Sequence, residues 1–531
     1  MQAILAETVF AMLVNVIGAK CIGIDAVPVT VEVDVVSGIG IHLVGLADTA
    51  VKESLLRTIT ALQALEYHIP GRKIVINLAP ADLHKSGSGY DLPIAVGIIA
   101  ASGQGTFPSL ADYLVMGELG LDGAVRDIAG ALPVADMARL RGMKACILPV
   151  NSSLEAAEFT DIDISGVETL ADCVRILSGV EDCSALLVRN SRLWKKRQRE
   201  RQHYGEDSPG VPDFADIIGQ EGAKRGVEIA AAGGHNLIMM GPPGSGKSSL
   251  AKAMAGILPP MTHEESVVTS KIYSVAGLGG RTPGLIRTCP FRSPHYSASL
   301  PAIVGGGAGD NIIPGEITLA HGGVLFLDEF NLMPRSVIEA LRGPLEDRTV
   351  TVSRLKAKIS YPASFMLVTA SNPCPCGYYG EGDKCICTPS QRISYLSKLS
   401  GPILDRIDIH LWLHPLDSRR MLSARRGEAS ADVAARVLKA RIAQKHRFAT
   451  DPIFTNAEMN NKQIEKYCPL SDTCRDTLSK IMERLNLSMR AFYRIIRVAR
   501  TIADLEGADD ILPGHIVEAA GYRFLDRQNP G

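Results

Sequence analysis

Three types of hydrophobic pattern follow one another along the chain. Residues 1–185 combine alternating polar and apolar positions, as in 29–35, with a helical periodicity that begins after Asp48. Residues 213–416 contain continuous apolar runs, which are typical of strands buried in a parallel sheet. Residues 417–531 have helical periodicity alone, clearest after Ser488, a residue type suited to a helix N-cap. The pattern predicts an α+β domain, an α/β domain and a helical domain, in that order.

A basic stretch, residues 186–212, lies between the first two domains and is interpreted as a linker. Its cations are Arg189, Arg192, Lys195, Lys196, Arg197, Arg199 and Arg201, and Gly205, Pro209, Gly210 and Pro212 complete the stretch. These cations either contact nucleic acid or simply keep a flexible tether solvated.

A glycine-rich turn of the form G-x-x-x-x-G-K-S follows an apolar run that ends at Met240. The turn consists of Gly241, Pro242, Pro243, Gly244, Ser245, Gly246, Lys247 and Ser248, and Ser249 comes next. In such a loop, backbone N–H groups surround phosphate oxygens, the lysine reaches the β and γ phosphates, and the serine hydroxyl binds Mg²⁺. A helix that begins after the loop adds its positive dipole end. The turn therefore predicts a nucleoside triphosphate site. The alternative is a glycine-rich turn whose lysine has no role in binding.

Two carboxylates end a second apolar run some eighty residues later. Residues 324–327 are all apolar, and Asp328 and Glu329 follow them directly. Combined with the phosphate loop, this pattern predicts that Asp328 holds Mg²⁺ through water and that Glu329 orients the attacking water. Without the loop, two acidic residues at a strand end would indicate only a turn.

Composition narrows the class of protein only slightly. Charged residues make up 21% of the 531 residues and hydrophobic residues 46%, as in soluble globular proteins. The net charge of −1 predicts no polyanion partner, so any contact with nucleic acid must depend on local charge. The apolar stretches 8–19 and 92–111 are too short, or too interrupted by glycine and proline, to span a bilayer. We expect a cytoplasmic protein without a membrane span or a disulfide framework.

The central domain resembles an AAA+ ATPase, a P-loop core whose parallel sheet has helices on both faces, followed by a helical lid. The resemblance assigns Gln220 to the turn that touches adenine and Asn372 to sensor 1, which positions the lytic water. It assigns Arg406, in the segment 404–408, to the arginine finger that reaches the γ-phosphate of a neighbouring subunit. Arg490 falls where the sensor 2 arginine of the lid is expected.

Two insertions narrow the resemblance further. A glycine-rich segment that includes residues 305–309 precedes Asp328, and residues 349–361 form two strand patterns around a basic tip. Both resemble the inserts shared by Mg-chelatase motor subunits and MCM helicases. The resemblance implies that Arg354, with Lys356 and Lys358, contacts DNA phosphates in the pore of a hexamer. The alternative is a surface hairpin with ordinary solvated cations.

The chain as a whole, to about residue 525, is similar to the ComM/YifB family of Mg-chelatase-like ATPases. The segments 71–80 and 88–95 resemble the Lon-protease/S5-like domain that precedes the motor in this family. Laid on the Lon catalytic motifs, the chain has Gly89 in place of the nucleophilic serine and Leu132 in place of the lysine. We therefore expect no peptidase activity, because both groups of the dyad are absent.

Four cysteines follow the sensor 1 position as two C-x-C pairs: Cys374 and Cys376, then Cys385 and Cys387. Four thiolates could close a tetrahedral structural Zn²⁺ site. Since C-x-x-C is the commoner spacing, ordinary thiols remain the alternative.

The family resemblance implies a hexameric ATPase that uses ATP and Mg²⁺ to drive branch migration of DNA during natural transformation. Two rivals remain open at this point. One is a Mg-chelatase-like or protein-remodelling motor without a DNA substrate, and the other is a nucleotide switch without enzymatic activity. The candidate residues Glu329, Asn372 and Arg406 argue against the switch.

Overall fold

A computed structural model describes residues 13–46, 48–204, 210–279, 284–307, 312–353, 358–399, 401–415 and 426–527. Helices and strands are numbered below in chain order, and short 3-10 turns are left unnumbered.

The first domain is built on a seven-stranded mixed sheet with the strand order β3-β4-β2-β1-β5-β8-β9. Its strands are β1 (Val14–Ile22), β2 (Asp25–Val36), β3 (Ile41–Val44), β4 (Lys73–Ala79), β5 (Tyr113–Val115), β6 (Glu118–Leu119), β7 (Val125–Arg126), β8 (Ala145–Pro149) and β9 (Asp163–Val167), with β6 and β7 paired separately. Its helices are α1 (Thr49–Ala64), α2 (Asp91–Ala101), α3 (Ala131–Leu140), α4 (Val150–Ser153), α5 (Leu170–Ser178) and α6 (Arg192–Tyr204).

Local sequence explains several of these elements. In β2 the residues Val29, Val31 and Val33 are buried and alternate with partly exposed positions, as period-two patterning requires. Helix α1 begins where predicted, because the Asp48 carboxylate accepts a hydrogen bond from the Val51 N–H at 2.8 Å. The domain is therefore α+β, as expected from the sequence.

The interpretation of residues 186–212 as a linker needs correction. Residues 192–204 form helix α6, and Trp194 is buried in the core of the first domain together with Val188. The apolar Trp194 within a basic run anchors the start of this helix, while Lys195 and Arg199 remain exposed. The first domain thus extends beyond residue 185. Residues 205–209 lie outside the described residues.

The central domain contains a five-stranded parallel sheet with the order β11-β14-β17-β10-β18. Its strands, with those of two small hairpins, are β10 (Leu237–Met240), β11 (Phe291–Arg292), β12 (Gly305–Gly306), β13 (Ile313–Pro314), β14 (Val324–Leu327), β15 (Thr349–Ser353), β16 (Lys358–Pro362), β17 (Met366–Ser371) and β18 (Ile409–Trp412). Its helices are α7 (Glu221–Gly233), α8 (Lys247–Ala255), α9 (His263–Val275), α10 (Leu300–Val304), α11 (Glu316–Leu319), α12 (Arg335–Ala340), α13 (Arg342–Asp347), α14 (Pro389–Leu396) and α15 (Gly401–Leu404).

The last region is helical, as its pattern predicts. Its helices are α16 (Ser430–Arg447), α17 (Asn461–Tyr467), α18 (Asp472–Leu485), α19 (Met489–Glu506) and α20 (Pro513–Gly521). Helix α19 begins at its expected N-cap, where the Ser488 hydroxyl accepts from the Ala491 N–H at 3.3 Å. Val437 and Ile495 share one apolar core with Val227 of α7, so this lid packs directly on the central domain.

The first domain and the central domain are joined by a packed junction. Leu285, from the central domain, belongs to the buried core of the first domain, and Val267 of α9 packs against that core. The Gly130 N–H donates to the Ser274 carbonyl at 2.9 Å, and the Lys271 ammonium contacts Asp136 at 2.6 Å. These contacts fix helix α9 against the first domain.

Candidate active site

Three candidate residues meet at the carboxyl edge of the five-stranded sheet because each follows a strand directly. The phosphate loop follows β10, Asp328 follows β14, and Asn372 follows β17, which lies between the other two strands. In parallel sheets this edge is the usual place for ligands. The sheet order therefore assembles residues that are up to 125 positions apart in the chain, as for Lys247 and Asn372.

The glycines of the phosphate loop have distinct structural roles. A Cβ at Gly241 would lie 2.5 Å from the Leu413 carbonyl oxygen, so only glycine fits beside β18. Gly244 and Gly246 have φ values of +76° and +90°, in the left-handed region that favours glycine. A Cβ at either position would meet nothing within 4 Å. The loop therefore borders open space of the kind that a phosphate chain needs.

The Lys247 ammonium is held within this loop. It donates to the carbonyl oxygens of Gly241 at 2.7 Å and Pro242 at 2.9 Å, and to Asn372 Oδ1 at 3.3 Å. Burial lowers the pKa of Lys247, which means that its charge lacks full compensation here. A bound anion would supply that compensation, so the loop fits a phosphate group.

The magnesium candidates are in direct contact. The Ser248 hydroxyl donates to Asp328 Oδ2 at 2.7 Å, so the two oxygens converge where a hydrated Mg²⁺ would sit. Glu329 is exposed and has φ of +50°, an uncommon conformation for a residue with a side chain. Such strain at a site is consistent with a functional constraint and costs about 1–3 kcal/mol.

The remaining predicted nucleotide contacts surround the loop. The Gln220 amide donates to the Ser245 carbonyl at 3.2 Å and to the His414 carbonyl at 2.6 Å, which fixes it beside the phosphate loop. Ser245 is buried and its hydroxyl has no hydrogen-bond partner among the described residues. Pro243 is exposed at the turn, and Ser249 lies in the first turn of α8.

Arg406 lies at the opposite, amino edge of the same sheet. Asn236, just before β10, donates to the Arg406 carbonyl at 2.9 Å, whereas the phosphate loop follows the last residue of β10. Four strand residues span about 13 Å. The Arg406 side chain is 12% exposed and pairs with Glu346. Arg406 therefore lies at the edge of the sheet opposite to the phosphate loop of its own chain.

Two lid arginines also contact this amino edge. Arg490, at the start of α19, donates to Asp405 at 2.9 Å, and Arg494, one turn later, donates to Asp408 at 2.6 Å. Burial would raise the pKa of Asp408, but Arg494 and His235 outweigh it and hold the pKa well below its ordinary value. The lid thus holds the segment around Arg406 by ion pairs on both sides.

Three residues of this edge were missed at the sequence level. Asn236 holds the Arg406 backbone and also accepts from the Leu367 N–H at 2.9 Å, while Asp408 and Arg494 form the buried pair. The spacing of Arg490 and Arg494, four residues apart on one helix face, was a signal that could have found the second arginine. No local motif indicates Asn236.

Known proteins resemble this chain over nearly its whole length. It is 42% identical over 514 residues to the "Uncharacterized protein YifB" of Escherichia coli, with 95% of this chain and 96% of that protein aligned. It is 41% identical over 509 residues to the "Competence protein ComM" of Haemophilus influenzae, with the same coverage. The chain belongs to the ComM/YifB family of Mg-chelatase-like AAA+ ATPases.

Family models add the Mg-chelatase relationship to this ComM/YifB member. Models described as magnesium chelatase, subunit ChlI, subunit ChlI of Mg-chelatase, and the ChlI C-terminal region match residues 213–421, 31–152 and 427–523. A more distant relative, "DNA replication licensing factor Mcm6" of Drosophila melanogaster, is 23% identical over 59% of this chain and 37% of its own length. Membership of this family implies ATPase activity with ATP and Mg²⁺.

The two inserted hairpins of this ComM/YifB protein lie side by side. The predicted pair of strands is present as β15 and β16, which are antiparallel, and β12 pairs with β13. The Tyr361 hydroxyl donates to the Ile312 carbonyl at 2.7 Å and so links the two hairpins. Lys358 is exposed and is the first residue of β16. Arg354 and Lys356, the other DNA candidates, lie outside the described residues.

The four candidate zinc ligands converge. Cys374, Cys376, Cys385 and Cys387 place their sulfur atoms within 4.8 Å of one another. Cys374 is buried and the other three are partly exposed. A hydrogen bond from the Tyr378 N–H lowers the pKa of Cys376 to about 6.

The two segments of the first domain that were compared with the Lon catalytic motifs border one cavity of about 410 Å³. Gly89 lines it together with the run 128–130, close to Leu132, which is itself buried. Ser88 donates to Glu118, and the buried Lys85 ammonium donates to the Pro80 carbonyl. Neither residue forms a serine–lysine pair in the described structure. The absence of peptidase activity stays a prediction.

Among the described helices, none combines the length and the apolar character needed to cross a lipid bilayer.

Proposed function

We propose that the protein is an ATP-driven DNA motor, a homo-hexameric ring that catalyses branch migration of recombination intermediates during natural transformation. In this ring ATP is the fuel, Mg²⁺ is held by Ser248 and Asp328, and the four-cysteine cluster holds structural Zn²⁺. Lys247 binds the phosphates, Glu329 polarises the attacking water and Asn372 orients it.

The separation of Arg406 from its own phosphate loop carries the proposal of a ring. A finger at the amino edge of the sheet cannot reach a γ-phosphate at the carboxyl edge of the same chain, about 13 Å away along the strand. An adjacent subunit with its amino edge against that site would bring the guanidinium to the phosphate. Arg490 shares this edge through Asp405 and would approach the same phosphate.

Local features support DNA as the substrate. The exposed Lys358 lies at the hairpin end, and helix α6 carries the exposed cations Lys195 and Arg199. ComM of Haemophilus influenzae is named a competence protein, and the Drosophila relative is named a DNA replication licensing factor. If several phosphates are neutralised, binding should weaken with salt by a log–log slope of about −0.9 per duplex phosphate contact.

The alternative is a Mg-chelatase-like or protein-remodelling motor without DNA, which the ChlI family matches favour. The two hypotheses differ in what stimulates hydrolysis. Branched DNA should accelerate the ATPase of a DNA motor, whereas the alternative requires a protein partner.

Resolution of a synthetic four-way junction tests the proposal. We expect the wild type with ATP and Mg²⁺ to convert a mobile junction into duplex products, and Glu329→Gln to bind ATP and junction without converting it. General-base loss of this kind lowers turnover by about 10²–10⁴-fold. The DNA proposal is wrong if the wild type hydrolyses ATP while junction DNA changes neither the ATPase rate nor its own structure.

A further inference from the structure

The cysteine cluster lies between the sensor 1 position and helix α14. Cys374 lies two positions after Asn372, and Asn372 accepts from the Lys247 ammonium. Cys387 directly precedes Thr388, whose hydroxyl caps the start of α14. The four cysteines therefore close the segment that connects β17 to α14, immediately behind sensor 1.

Three sulfur separations within the cluster are close to those around a tetrahedral ion. They are 3.3 Å for Cys374 to Cys376, 3.8 Å for Cys374 to Cys385 and 3.7 Å for Cys376 to Cys385. Four thiolates about 2.3 Å from a central Zn²⁺ lie about 3.8 Å apart. The Cys387 sulfur also lies within 4.8 Å of the other three, and four cysteine sulfurs gathered this closely form a ligand set that favours a soft divalent cation.

The closed segment touches the phosphate loop at one glycine. A Cβ at Gly377 would lie 2.8 Å from Pro243 Cδ and 3.9 Å from Asn372 Cγ. Gly377 has φ of +86°, and its N–H donates to the Cys374 carbonyl at 3.0 Å. The backbone turn that the cysteines enclose thus rests directly on the proline ring of the loop that would hold the phosphates.

We propose that a Zn²⁺ ion is bound by Cys374, Cys376, Cys385 and Cys387 and holds this turn against Pro243. Bound zinc would thereby fix the positions of the phosphate loop and sensor 1 relative to each other. The zinc acts as a positioning element and touches no reacting atom. This inference rests on the proposed ATPase function for its effect on nucleotide, whereas metal binding itself does not depend on that function.

Metal content is the first measurement. We expect about one zinc per chain by elemental analysis of purified full-length protein, lost in Cys385→Ser and retained in Cys183→Ser, a cysteine of the first domain. Zinc well below one per chain in the wild type, or full zinc in Cys385→Ser, would overturn the site.

The clamp itself is tested without removing a ligand. Gly377→Ala keeps all four cysteines but forces a methyl group into Pro243, and we expect it to retain zinc while its Kd for a fluorescent, slowly hydrolysed ATP analogue rises at least about tenfold. Gly382→Ala is the matched control, because Gly382 also has a positive φ, +59°, but a Cβ there meets nothing within 4 Å. We expect its zinc content and Kd to equal those of the wild type.

The outcomes separate the two proposals. If wild-type protein holds zinc and binds the analogue, and Gly377→Ala binds it within about twofold of Gly382→Ala, the clamp is wrong and the ATP site stands. If wild-type protein and Lys247→Ala both fail to bind the analogue, the proposed ATPase function itself fails.

Discussion

The two edges of the five-stranded sheet are built in different ways. At the carboxyl edge, the phosphate loop, Asp328 and Asn372 directly follow their strands, and Lys247 bonds to carbonyls five and six residues away. At the amino edge, the segment around Arg406 is held by Asn236 and by two arginines of the lid. The first edge is thus built from short segments that follow the strands and meet through the sheet order, while the second depends on the lid and, in our proposal, serves a neighbouring subunit.

Loss of the proposed arginine finger should produce the largest effect. Arg406→Ala should bind ATP normally and hydrolyse it about 10³-fold or more slowly, because the guanidinium contributes about 10³–10⁵ to the rate in related NTPases. The measurement is steady-state turnover together with equilibrium binding of an ATP analogue.

A mixing experiment decides whether the finger acts between subunits. Arg406→Ala and Lys247→Ala should each be inactive alone, and equimolar mixtures should regain part of the wild-type turnover because some interfaces combine an intact finger with an intact loop. Normal turnover of Arg406→Ala alone would refute the assignment of the finger.

Breaking the buried lid contact should have the next largest effect. Arg494→Ala leaves the Asp408 carboxylate, which is 4% exposed, without its closest cation. Removal of one partner from such a pair costs about 3–5 kcal/mol. We expect a clear fall in the lid unfolding transition, measured by differential scanning calorimetry.

The double variant Arg494→Ala/Asp408→Ala provides the control. It removes both charges, so it should be less destabilised than Arg494→Ala alone. Equal or greater destabilisation of the double variant would show that packing, not the unpaired charge, causes the loss.

Arg490→Ala should have the smallest effect on stability. Its pair with Asp405 is exposed, with side chains at 69% and 38%, and such pairs contribute about 0–1 kcal/mol. If Arg490 also contacts the phosphate of the neighbour, turnover should still fall about tenfold, the value of one charge-assisted hydrogen bond. A melting profile and an ATPase rate that are both unchanged would make Arg490 an ordinary surface residue.

The sequence alone could indicate the phosphate loop at the carboxyl edge for a physical reason. A phosphate loop needs glycines such as Gly244 and Gly246 for its left-handed backbone. It also needs a lysine and a hydroxyl at fixed positions after them, so the whole motif can be recognised in one short run of sequence. Helix starts at Asp48 and Ser488 were also predicted correctly, because an N-cap depends on a side chain and the next three residues.

Other features could not be predicted because they depend on distant packing. The basic composition of residues 186–212 indicated a linker, but burial of Trp194 against the first domain stabilises helix α6. The partnership of Asn236 with Arg406 joins residues 170 positions apart, and only the order of strands in the sheet brings them together.

The placement of Leu285 has a consequence for any attempt to divide the protein. This leucine comes from the motor yet completes the apolar interior of the first domain, and helix α9 is fixed there by Ser274 and Lys271. A cut between residues 205 and 209 would expose apolar core residues of the first domain. It would also expose Leu285 and Val267 of the motor, which pack against that core. The core of the first domain is therefore complete only when the motor is present, and we expect the amino-terminal half to aggregate when it is expressed separately.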